Sequence, residues 1–183
     1  MAAGMKLVIL DRDGVINHDS PEYIKTPEEW LPIEGSLEAI ANLHEHGFTV
    51  CVATNQAGIG RGLYSLQDLE RIHSKMLQAV ADAGGKITAV FYCPHHPSDD
   101  CACRKPRPGL IHQLADQLKV SVAGVPLVGD KLTDIQAGMA AGCKPILVET
   151  GSGRLALDKL PNPGIPVYPD LAGAAAAIIA GEV

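Results

Sequence analysis

Five short apolar runs, Leu7–Leu10, Phe48–Ala53, Ile87–Tyr92, Val125–Val128 and Pro145–Val148, leave this chain few folds to choose from. Runs of this length without polar alternation fit strands buried on both faces, and stretches with helical spacing lie between them. Strands alternating with helices predict an α/β fold: a Rossmann-like parallel sheet with helices on both faces. In such sheets ligands bind beyond the C-terminal ends of the strands. Those ends are where this chain places its polar clusters: Asp11/Asp13, Thr54/Asn55, Arg104/Lys105 after a loop, and Asp130/Asp134.

The connecting segments carry their own signals. Ser36 is expected to cap a helix that buries Leu37, Ile40, Ala41 and Leu43 and closes at Gly47. Ala57 to Tyr64, with Gly58, Gly60 and Gly62, reads as a flexible loop. Ser65 and Asp68 open the longest helix as a capping box, with Leu66, Leu69, Ile72, Met76, Leu77 and Val80 on its buried face. Pro108 suits the first turn of a further helix. Helix Leu132 to Ala141, an edge strand at Val167 and an Ala-rich helix capped by Asp170 complete the order. Asn17 to Gly35, with Pro21, Pro27 and Pro32, is an irregular excursion with a short extended piece near Trp30 to Ile33.

At 183 residues the chain is expected to form one domain, 1–183. A net charge of −6 provides no overall basic footprint for nucleic acid. The apolar run before Asp11 is too short for a signal-peptide core, and the Ala-rich tail too short for a membrane span. The expectation is a cytoplasmic monomer without a membrane or nucleic-acid partner. Five cysteines, an odd number and no export signal, predict reduced thiols. Cys51 and Cys143 read as packed small hydrophobes.

The four polar strand ends supply carboxylates, a hydroxyl, backbone N–H groups and a Lys/Arg pair. Carboxylate-rich sites favour a hard cation such as Mg2+, which bridges protein and phosphate oxygens. Asp11 and Asp13, two residues apart, can converge, because residues i and i+2 of an extended chain point the same way. One could serve as nucleophile and the other as general acid and then base. Gly14 lets the chain turn sharply just after them. Read alone, Asp130 and Asp134 also fit a helix cap followed by an exposed helix carboxylate.

Asp11-Arg-Asp13-Gly-Val, Thr54-Asn55-Gln56, Lys105-Pro and Gly129-Asp130-Lys-Leu-Thr-Asp134 resemble the four ordered motifs of the haloacid dehalogenase superfamily of phosphatases. The resemblance implies that Asp11 forms an aspartyl phosphate while Asp13 protonates the leaving alkoxide and then activates water. Mg2+ would be held by the Asp11 carboxylate, the Asp13 backbone carbonyl and Asp130. Thr54, Asn55 and Lys105 would hold the transferring phosphoryl group, with Lys131 and Asp134 supporting the cluster.

Cys93-Pro-His95-His96 followed by Cys101-Ala-Cys103-Arg104-Lys105 brings three thiols and an imidazole into eleven residues. That is the Cys3His set of a closed structural Zn2+ site, tied as a loop clasp over 93–103. Spacing does not separate His95 from His96; the family pattern selects His95. The competing redox reading lacks the CxxC motif at a helix N-terminus that lowers a thiol pKa. The clasp and Ile59-Gly60-Arg61-Gly62 resemble the branch of heptose bisphosphate phosphatases, whose pattern histidinol-phosphate phosphatases share. Five residues separate His95 from Cys101, a short form of that loop.

The branch implies a phosphorylated-sugar substrate, with removal of the 7-phosphate of a heptose 1,7-bisphosphate on the way to lipopolysaccharide. Asp19, Gln56, Arg61 and Arg104 are then expected to join Thr54, Asn55 and Lys105 in binding substrate. Histidinol phosphate is the alternative substrate, and a non-catalytic zinc-stabilised phosphate-binding module the alternative of another class. A nucleic-acid 3'-phosphatase is disfavoured by the acidic balance. The motif spacing leaves no room for a helical cap domain, so a capless site roofed by Asn17–Glu22, Gly58–Tyr64 and the clasp is expected.

Overall fold

The computed structural model describes residues 5–183. Its centre is a six-stranded parallel sheet of β1 (Lys6–Leu10), β2 (Phe48–Asn55), β3 (Ile87–Cys93), β4 (Pro126–Gly129), β5 (Lys144–Val148) and β6 (Val167–Tyr168). The strand order is β3-β2-β1-β4-β5-β6. After β1 the chain builds the sheet to one side, and at β4 it crosses back to the other side. Ile9 and Leu10 pair with Leu127 and Val128 across that junction. This topological switch point opens a crevice beyond the ends of β1 and β4.

Successive strand residues point to opposite faces, and β1 divides accordingly. Val8 and Leu10 pack with α1 (Ser36–Glu45), α3 (Leu66–Asp82) and α7 (Leu171–Ala180). Leu7 and Ile9 join the opposite layer, built on α4 (Gly109–Leu118) with Ala137 of α5 (Leu132–Ala140). All four side chains are buried, as an unbroken apolar run in a doubly covered sheet requires. Cys51 and Cys143 are buried in the second layer as free thiols.

Several local expectations change. Ser36 is the first helical residue of α1 rather than its cap, because its hydroxyl donates to the Ile16 carbonyl (2.7 Å). Ala57–Gly60 closes into a helical turn, α2, where a flexible loop was expected. Leu66 and Leu77 stay exposed; the buried face of α3 is Leu69, Ile72, His73, Met76 and Val80. The Ser65–Asp68 capping box and the Asp170 cap form as expected.

Among the described residues no helical domain stands between β1 and β2 or between β2 and Lys105. The crevice is therefore capless and covered by loops. The extended piece after Trp30 pairs back on the chain beyond β1, with His18 N–H donating to Leu31 O and Ile33 N–H to Ile16 O.

Candidate active site

Three carboxylates meet at the switch point. Asp11 follows β1, Asp130 follows β4, and Asp134 projects from the first turn of α5, with one oxygen of each within 4.8 Å of the others. All three are buried. Lys105 Nζ lies 2.9 Å from Asp11 Oδ1 and 2.6 Å from Asp134 Oδ1, and donates to the Ala53 carbonyl at 2.7 Å. Asp134 Oδ2 accepts the Lys131 backbone N–H at 2.9 Å, which ties its carboxylate to the start of α5. Neither Asp130 nor Asp134 is the solvated helix-end carboxylate that a bland reading of their motif allowed.

Asp130 Oδ2 accepts the Ser152 N–H at 2.8 Å, but its Oδ1 is buried with no hydrogen-bond partner. A buried, unpaired carboxylate oxygen is costly unless a cation meets it. Burial, followed by repulsion from Asp134, pushes Asp11 up to about 6, although Lys105 and Lys131 pull it down. Burial and then Asp11 push Asp130 up to about 8. The oxygen donors and the deficit of positive charge fit Mg2+.

The backbone around the cluster is cut to fit it. Gly14 sits at φ +86°, and a Cβ there would collide with Asp130 Oδ2. A Cβ on Gly151 would strike the same oxygen. Thr150 Oγ1 donates to the Gly14 carbonyl at 2.7 Å, so the loop after β5 closes the floor of the site. Nothing in the sequence reading singled out Thr150-Gly151-Ser152. A small-residue turn after a strand was the available signal.

The two aspartates of the β1 motif have different surroundings. Asp13 stays out of the carboxylate cluster. Arg12 donates to both of its oxygens (2.8 and 3.0 Å from Nη2), Asn17 Nδ2 to Oδ1 and Gln56 Nε2 to Oδ2 (2.9 Å each). Burial would raise the Asp13 carboxyl, but Arg12, Asn17 and Gln56 together hold it below its ordinary range. The i and i+2 spacing placed Asp11 and Asp13 at one site, while the side-chain partners decided that they do different things there.

Thr54 is buried, with its hydroxyl accepting from Gln56 at 3.0 Å. Asn55 clamps the Lys105 backbone by two bonds of 3.1 Å and so places the lysine. Gln56, expected to bind substrate, lines the cavity beside the cluster and is also tied into the protein. Its amide nitrogen donates to Asp13 and Thr54, and its oxygen accepts from Arg12 (3.2 Å) and Tyr64 (2.6 Å), which uses its hydrogen-bonding capacity within the protein.

Asp13, Asp19, Asn55, Arg61, Arg104 and Lys131 share the walls of one cavity of about 380 Å³ beside the cluster. Arg104 holds a buried Nη1 without a partner. Lys131 Nζ bonds Asp19 Oδ2 at 2.7 Å across the rim. Burial opposes the Lys131 charge, but Asp130, Asp11 and Asp19 outweigh it and raise its pKa.

The clasp assembles from contiguous sequence. Cys103 Sγ lies 3.2 Å from Cys93 Sγ and 3.6 Å from Cys101 Sγ, and His95 Nδ1 lies 3.2 Å from Cys103 and 3.5 Å from Cys93. A tetrahedron of Zn–S bonds near 2.3 Å has edges of about 3.8 Å, so these atoms are spaced to close on one zinc ion. His96 instead caps the next turn, its Nδ1 accepting from Ser98, which separates the two histidines. All five cysteines are free. Glycines again permit the packing: a Cβ on Gly60 would meet the His96 backbone, and one on Gly109 the Ala102 carbonyl.

This switch-point site, with aspartates after β1 and β4 and a lysine between them, is that of a haloacid dehalogenase-like hydrolase. The family model described as HAD-hydrolase-like matches residues 102–174. The D-glycero-β-D-manno-heptose-1,7-bisphosphate 7-phosphatase of Bordetella bronchiseptica is 53% identical over 173 residues, 93% of this chain and 96% of that protein. The enzyme of that name from Pseudomonas aeruginosa is 49% identical over 94% of this chain and 97% of its own. A crystal structure of D,D-heptose 1,7-bisphosphate phosphatase from B. bronchiseptica, complexed with magnesium and phosphate, superposes with a TM-score of 0.94 at 49% identity. It covers 97% of this chain and 99% of that one. The chain is a phosphatase and belongs to the family that these heptose bisphosphate phosphatases form.

Proposed function

We propose that this protein removes the 7-phosphate of D-glycero-β-D-manno-heptose 1,7-bisphosphate through an aspartyl-phosphate intermediate, with Mg2+ at the carboxylate cluster and Zn2+ in the clasp. The observation that carries this reading is the buried group of Asp11, Asp130 and Asp134, short of positive charge, beside a cavity with Arg61, Arg104 and Lys131. Relatives that share half of their residues with this chain are named for the reaction.

In this reading Asp11, Asp130 and the Asp13 backbone carbonyl hold Mg2+, which supplies charge to offset the carboxylates and the incoming phosphate. Lys105 and Thr54 donate to the phosphoryl oxygens, and Asn55 keeps Lys105 in place. An Asp11 oxygen attacks phosphorus, the bond to the sugar oxygen breaks, and Asp13 gives that oxygen a proton. Asp13, now ionised, takes a proton from water. The water oxygen attacks phosphorus, and inorganic phosphate leaves with Asp11 restored. The donors that favour the Asp13 carboxylate stabilise the form that acts in this second half. Arg61, Arg104, Lys131 and Asp19 frame the cavity for the sugar and its remote phosphate. Zn2+ in the clasp would fix Arg104 and Lys105 where the chain leaves Cys103.

The test is phosphate release from the heptose bisphosphate, with the retained phosphate located by 31P NMR. The expected product keeps its 1-phosphate, and Asp11→Asn abolishes turnover, a loss of at least about 10³-fold. Faster hydrolysis of histidinol phosphate would overturn the substrate, and an active Asp11→Asn protein the mechanism.

A further inference from the structure

Arg12 stands between the two aspartates of the β1 motif, and its side chain is fully buried. A buried guanidinium must have every side met. Nε and Nη2 face Asp13 at 2.8–3.0 Å, and Nη2 also reaches Gln56 Oε1. On the remaining side Nη1 meets His73 Nε2 at 3.3 Å. Arginine only donates, so His73 accepts at Nε2 and carries its proton on Nδ1. His73 comes from the buried face of α3 and packs its ring against Tyr92 at the end of β3, 5.9 Å between centroids. Burial and then Arg12 push the imidazole down to about 3, so it stays neutral.

A neutral acceptor at that place has a consequence that a carboxylate would not. It holds the far side of the guanidinium without sharing its charge, so the charge stays directed at Asp13. Asp13 is met from the other direction by Gln56, which Tyr64 and Thr54 fix in turn. We propose that His73 is a positioning residue for proton transfer: it anchors Arg12, and through Arg12 it aims the Asp13 carboxyl at the oxygen of the leaving group. This rests on the reading of Asp13 as the proton donor.

The test uses the dependence on leaving group. An alkoxide leaves poorly without a proton, whereas 4-nitrophenolate leaves readily without one. The value of kcat/KM covers only the steps through phosphorylation of Asp11, so it isolates this proton transfer from the later hydrolysis. His73→Leu is expected to lower kcat/KM for the heptose bisphosphate by about 10²-fold, the low end for a general acid, and for 4-nitrophenyl phosphate by less than about threefold. His73→Gln, which retains an acceptor, should recover most of the loss. Equal losses on both esters would mean a merely structural role, and no loss on either would mean no role; both outcomes overturn the proposal. If His73→Leu does not fold, Tyr64→Phe removes a single hydroxyl from the opposite strut and must show the same selectivity on a smaller scale. The 18O isotope effect at the bridging oxygen of the sugar ester should rise in whichever variant is used, because the oxygen leaves with more charge. Failure of the parent reading looks different: Asp13→Asn would itself lose no more on the heptose bisphosphate than on 4-nitrophenyl phosphate.

Discussion

The carboxylate cluster and the thiol clasp both gather metal-type ligands, and they are built in opposite ways. Asp11 lies far in sequence from Asp130 and Asp134, and the pairing of β1 with β4 brings them together. They are buried hard oxygen donors, held by Ser152 N–H, Lys131 N–H and Lys105. Cys93, His95, Cys101 and Cys103 are neighbours in sequence, with soft donors that run from the buried end of β3 into a partly exposed loop with a single turn at Pro97–Asp99. A sheet can hold repelling carboxylates in place before any cation arrives, because its strands are fixed by hundreds of other atoms. A loop has less such support, so an ion bound by its ligands would contribute more to holding them together. The first arrangement suits an ion that works with substrate, the second an ion that would tie a loop down onto the edge of the core.

That contrast can be broken at three places. Asp130→Asn should lower Mg2+-dependent phosphate release by about two orders of magnitude, by analogy with loss of charge stabilisation in other sites. The same change removes a carboxylate that burial and Asp11 make costly, so thermal stability is expected to hold or rise. Unchanged Mg2+ dependence, or a large drop in melting temperature, would contradict a preformed cluster. Cys103→Ser should do the reverse. Bound zinc, measured by atomic emission, falls below one per chain, and a loss of about 1–2 kcal/mol reads as roughly 3–8 °C in melting temperature. Its activity should fall by about tenfold or less, since Asn55 and the Ala53 carbonyl still hold Lys105. Asp19→Asn is the smallest perturbation. The Lys131 pair is 39% and 31% exposed, and exposed pairs contribute about 0–1 kcal/mol, so stability should be unchanged and KM should shift by less than about threefold. A tenfold rise in KM would make Asp19 a direct contact to the sugar rather than part of the cavity's frame.

Much of this was readable from the residues. The apolar runs announced the strands because a doubly covered strand cannot carry polar side chains, and the clasp announced itself because its ligands are contiguous. Leu66 and Leu77 misled, since a helix stripe is only as wide as the surface it meets, and α3 meets the sheet over Leu69, Ile72, His73, Met76 and Val80. The motif brought Gln56 to the site but not its bonding. Its partners, the adjacent Arg12 and Asp13 and the more distant Tyr64, lie on two other segments, and no spacing rule connects them to it. Ser152 and Gly151 were invisible for a related reason: what matters there is a backbone N–H and a missing Cβ.

Sequence alone determined the class of fold, the four strand ends that carry chemistry, and the donor types at both metal-type sites. Those follow from local rules: burial on both faces, ligand hardness and short-range spacing. Tertiary structure decided which aspartate sits in the cluster and which is turned aside by Arg12, that His95 and not His96 completes the clasp, and that a neutral His73 stands behind the arginine. Each of these depends on side chains from separate segments meeting in a low-dielectric interior, where one hydrogen bond or charge changes what a group can do.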